Sequence, residues 1–145
     1  MSGITVGIDG SAHSTRALEW AINEAAIRHS PVTVLTVHTV PMSPWTGNPV
    51  TLPQDADDQE DAQQAAEEMT LKVTSQLGTA KPPSVTVSAI SGFPVQALIE
   101  ASRTADMVVV GSRGAGGFAR LMIGSVSSQV VHHAHCPVVV VPSES

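Results

Sequence analysis

The stretch VVVGSRGAGGFARLMIGS, residues 108–125, decides the fold. Three valines run together and stop at Gly111. A β-branched run without polar alternation marks a strand covered on both faces. Further glycines come at 114 and 124. Ser125 then opens a new period, in which Val126, Val130 and Ala134 space as one face of a helix over 125–134. Buried strand, glycine loop and helix make one unit of a wound α/β sheet.

The same unit recurs outward in both directions. ITVGID (4–9) is an apolar strand that runs into Asp9-Gly10-Ser11. Leu18, Ile22 and Ala25 share one face of a helix over about 12–29, with Ser11 or Ser14 as N-cap. PVTVLTVHTV (31–40) is a second strand, followed by a long proline-rich loop at 41–58. Ala62, Ala66, Met69, Val73 and Leu77 mark a second helix, closed by Gly78. PSVTVSAI (83–90) is a third strand. Val95, Leu98 and Ile99 face one way on a helix over about 94–103, and ADMVVVG (105–111) is the fourth strand. PVVVV (137–141) is the fifth, ended by Pro142. The order β-α-β-α-β-α-β-α-β calls for a parallel sheet with helices on both faces.

With 145 residues the chain reads as a single domain, 1–145. It is 42% hydrophobic but has only two Trp, two Phe and no Tyr, so aliphatic side chains must build the core. A net charge of −6 with so few aromatics argues against general nucleic-acid binding and against a basic membrane patch. One cysteine, Cys136, allows no internal disulfide and points to a reducing compartment. Neither a signal peptide nor an 18-residue apolar run is present, so a cytoplasmic location is expected.

Two strand ends carry chemistry: Asp9-Gly10-Ser11 and Gly111-Ser112-Arg113-Gly114. Ligands of open α/β sheets bind beyond the carboxyl ends of the strands, where the winding reverses. If the first and fourth strands are neighbours, both ends open into one crevice. Glycines let a ligand approach backbone amides closely, and consecutive N–H groups form an anion nest. Gly124-Ser125 falls at a helix start, where unpaired N–H groups and the dipole suit phosphate. The other reading of these glycines is plain turn formation. No Walker Gly-Lys-Ser/Thr and no G-x-G-x-x-G after the first strand occurs.

Asp9 serves either as a ligand group or as a turn-former before Gly10. Arg113 and Arg120 lie in the phosphate segment and either pair with phosphate or are simply solvated. His132, His133 and His135 beside Cys136 fit no standard zinc spacing, so no metal site is expected. Cys136 reads as a small buried apolar residue. Ser112 lacks the G-x-S-x-G elbow, and no catalytic set stands out.

Gly111, Gly114, Gly124 and Ser125 form G-x2-G-x9-G-S. Together with VGIDGSAHSTRALEWA (6–21) and HHAHCPVVVVP (132–142), they make the chain resemble the ATP-binding branch of the universal stress protein family. The likeness spans nearly the whole chain except 41–58. It implies a three-layer, Rossmann-like fold with five parallel strands in order 3-2-1-4-5, and a homodimer. It implies adenine near Asp9 and His38-Thr39-Val40, with Thr39 read through its backbone. Ribose would lie at Gly111, and phosphates at Gly114, Gly124 and Ser125, often with Mg²⁺. Gly10, Arg113 and Val126 are counted in the same site.

The expected function is an ATP-binding regulatory module rather than a fast enzyme. The alternatives are a dimerising interaction module without nucleotide, a sensor of AMP or cyclic AMP, or a slow ATP hydrolase. Dimerisation is expected through 137–141, because a bare valine edge strand needs cover and pairing with its twofold copy supplies it.

Overall fold

The computed structural model describes residues 3–9, 12–39, 45–48, 55–76, 82–112 and 125–142. Among the described residues five strands, β1 (Ile4–Ile8), β2 (Val32–Thr39), β3 (Val85–Gly92), β4 (Met107–Gly111) and β5 (Val138–Val141), alternate with four helices. The helices are α1 (Ala12–Arg28), α2 (Asp55–Gln76), α3 (Pro94–Ser102) and α4 (Ser125–His133). The strands form one parallel sheet in the order β3-β2-β1-β4-β5.

Strand parity separates two cores. Ile4, Val6, Ile8, Val32, Val34 and Val109 point to one face, where they meet Leu18 and Ile22 of α1 and Ala66 and Val73 of α2. Leu35, Val108 and Val110 point to the other, against Leu98 of α3 and Val130 of α4. Burying each such aliphatic side chain contributes roughly 1.5–3 kcal/mol. β4 is buried on both faces from Met107 to Val110, as its valine run requires. Residues 138–140 of β5 are half-buried and only Val141 is fully covered, which fits a strand at the sheet's edge.

Glycine is required where two segments touch at the base of the sheet. The Gly3 N–H donates to Asp106 Oδ2 (2.9 Å), the Asp106 N–H donates back to the Gly3 carbonyl (2.8 Å), and the Ile4 N–H donates to the Pro31 carbonyl (2.9 Å). Gly3 holds φ +86°, and a Cβ there would lie 2.3 Å from the Pro31 oxygen.

Three expectations need correction. The loop expected at 41–58 is shorter, because α2 begins at Asp55. Its opening sequence, DADDQED, is acidic, which favours the positive end of a helix dipole, but it has no apolar period. Ser14 is no cap: it is the third residue of α1 and is buried. Ser11, Leu77 and Gly78 lie outside the described residues. Cys136 is half-buried at the edge of the second core, not enclosed in it.

Candidate functional site at the carboxyl ends of β1 and β4

The middle of the sheet opens at this end. β1 pairs with β2 to its last residue, Ile8↔Thr36, and β4 pairs with β5 to its last residue, Gly111↔Val141. Between β1 and β4 the paired register runs only from Ile4↔Met107 to Val6↔Val109, although both strands continue for two residues more. This is also where the winding reverses, since β1 connects to one side and β4 to the other.

Two helices begin here, one from each layer. α1 starts at Ala12, just beyond the tip of β1. The first turn of α4 is fastened to the tip of β4, because the Ser127 hydroxyl donates to the Gly111 carbonyl. Ser127 is almost wholly buried. The Ser112 N–H donates to the Val141 carbonyl (2.9 Å), so the chain leaving β4 is held to β5. The N-terminal ends of two helix dipoles give this end a positive partial charge.

Of the expected site residues, Asp9 is exposed at the tip of β1. Thr39 ends β2, three residues past the partner of Ile8, and pairs with Gly92 of β3. Gly111 ends β4, Ser125 opens α4, and Val126 is half-buried against the second core. The structure thus brings the ends of β1 and β4 side by side. Gly10, Val40, Arg113, Gly114, Arg120 and Gly124 lie outside the described residues.

A cleft of about 650 Å³ opens from Asp9 between α1 and α2. Ile8, Thr36 and Thr15 form its floor and one side, with Glu19 alongside; Ala62, Ala66, Met69 and Lys72 of α2 form the other. Its volume falls in the usual range for small-molecule sites, about 300–1,000 Å³. Among the described residues Asp9 lines it, whereas Gly111 and Val126 do not. Sequence reading missed the α2 wall because the same stripe, Ala62, Ala66 and Met69, also reads as core. It missed Ser127 because Ser125, Ser127 and Ser128 are alike until the helix is placed against Gly111.

Among the described residues no three His, Cys, Asp or Glu side chains gather to hold a metal. His132 and His133 sit in the last turn of α4, where the dipole favours them. Burial pushes the Cys136 thiol above its ordinary value of 9.0, opposed by a backbone hydrogen bond at Val108 and aided by the Asp106 charge. No described helix is long and apolar enough to cross a membrane.

The model of the universal stress protein family matches residues 1–142. A universal stress protein of Mycolicibacterium smegmatis is 36% identical over 139 residues, which cover 96% of this chain and 47% of that protein. One of Mycobacterium tuberculosis is 34% identical over 142 residues, covering 98% and 48%. The chain therefore spans about half the length of the curated relatives it matches. Among solved structures, UspA of Lactobacillus plantarum superimposes with a TM-score of 0.75 at 25% identity, covering 96% of each chain. A universal stress protein in complex with cAMP has the same fold, with a TM-score of 0.68 at 24% identity and coverage of 98% and 97%. A sheet of this order, opened between β1 and β4, and a family match along nearly its whole length place the chain in the universal stress protein family.

Proposed function

We propose that the chain binds an adenine nucleotide, ATP with Mg²⁺, beyond the ends of β1 and β4, and acts as a regulatory module that reports occupancy. The observation that carries this reading is the gap between those strands, with the start of α4 fastened beside it through Ser127 and Gly111. A polyphosphate laid there meets helix N–H groups rather than side-chain bulk. The spacing of Gly111, Gly114, Gly124 and Ser125 supplies further bare amides and a hydroxyl. Asp9 lies on the base and ribose side. Among the described residues no cluster of His, Cys, Asp or Glu would hold a free metal, so Mg²⁺ enters as the partner of the phosphates. Two proteins of this fold are known in complex with cAMP and with dAMP, which supports the adenine-nucleotide class.

Calorimetric titration with ATP–Mg²⁺, AMP and cyclic AMP tests the reading. ATP binding is expected, weakened at least about tenfold by Gly114→Val and by Ser125→Ala, since tenfold is about 1.4 kcal/mol and one lost hydrogen bond to a charged group is worth about 1.5–3 kcal/mol. No binding at millimolar ATP overturns it. Tighter binding of AMP or cyclic AMP than of ATP would make the site a monophosphate sensor, the reading the cAMP and dAMP complexes favour.

A further inference from the structure

An open sheet has two outer strands, and here they are β3 and β5. The outer side of β3 is not bare. Gln63 of α2 donates from Nε2 to the Val87 carbonyl (3.0 Å), and its Oε1 accepts from the Ala89 N–H (2.8 Å). One helical turn earlier, Gln59 donates from Nε2 to the Ala89 carbonyl (2.8 Å), and its Oε1 accepts from the Ser91 hydroxyl (3.0 Å). The two amides therefore offer donor and acceptor in alternation along 87–91, as a sixth strand would.

We propose that Gln59 and Gln63 form a side-chain lock that closes the β3 edge against strand addition by a second copy of this chain. The geometry of four hydrogen bonds from two residues at i, i+4 carries it. Gln63 is also held in the required orientation, since its Nε2 donates to Glu67 Oε1 (2.7 Å) one turn further along α2. The strand itself gives the lock its purpose. VTVSAISG is β-branched in half its positions and carries no charge and no proline. Sheet edges are ordinarily protected by just those residues, and an uncharged β-prone segment left open templates further pairing. On β3 the helix does this work instead.

Replacing both glutamines by methionine keeps side-chain length and helix propensity but removes both amide groups, leaving no side-chain donor and only a weakly accepting sulfur. The Gln59→Met, Gln63→Met variant is expected to exchange the Ala89 amide at least about tenfold faster than wild type. It is also expected to form larger, concentration-dependent species in sedimentation velocity. Adding Ala89→Pro, which deletes the outward N–H, should suppress those species. A folded double variant that keeps the wild-type mass distribution overturns the proposal, whether or not Ala89 exchange changes. So does association that Ala89→Pro leaves intact. If the double variant does not fold, Gln59→Met alone, which leaves both Gln63 bonds in place, is judged by the same two results.

Discussion

His29 carries φ 55°, the left-handed conformation that side chains other than glycine resist. It sits just past the end of α1. The Ser30 N–H reaches back to the Ala25 carbonyl (2.9 Å) and the His29 N–H to the Ala26 carbonyl (3.4 Å), the paired closure of a Schellman end. Glycine is the residue this position prefers. His29→Gly is expected to stabilise the fold by about 0.5–1 kcal/mol, the relief of left-handed strain less the added freedom of the unfolded chain. Denaturant midpoints with an unchanged m-value would show it; a lower midpoint would mean that the imidazole contributes something the backbone does not need. Sequence pattern gave no warning of this site, because a histidine after Arg28 reads as one more polar residue on a helix end.

At the scale of elements, α3 lies close against the sheet because β1 has no side chain where the two meet. A Cβ on Gly7 would stand 2.9 Å from a Leu98 methyl group. Gly7→Val should cost about 1–3 kcal/mol through overpacking, and Leu98→Ala in the same chain should return part of that loss. A double-mutant cycle by chemical denaturation measures it; strictly additive effects would mean that α3 had moved aside. The elements themselves were readable in very unequal degree. β4 and α1 declare themselves, one by an unbroken valine run and the other by Leu18, Ile22 and Ala25 on one face, and both are buried as that pattern demands. The first turns of α2 do not. DADDQED has no apolar face to detect, and its helix is fixed by Gln59 and Gln63 reaching β3, contacts between residues 24 to 32 positions apart. Ser127 is the same kind of case: its value lies wholly in a partner 16 residues back.

For the whole molecule, the wound sheet was legible from the alternation of strand and helix patterns. The strand order, and with it the adjacency of β1 and β4, came from family resemblance, because nothing in either strand's own sequence names its neighbour. The sheet's two outer strands differ in finish. With β3 covered by α2, the short valine strand β5 is the edge we propose for pairing with a twin copy. Sedimentation velocity at micromolar concentration is expected to return twice the chain mass, and monomer alone would count against it.

The position of β1 at the centre of the sheet has a consequence for the order of assembly. Ile4 is flanked by Val32 on one side and by Met107 on the other. As the chain leaves the ribosome, the first neighbour arrives early, while the second is still to be translated for roughly 4–15 s at about 5–20 residues per second. Throughout that interval the growing protein carries a half-clothed central strand, and the gap between the tips of β1 and β4 forms only once residues 107–127 have been made.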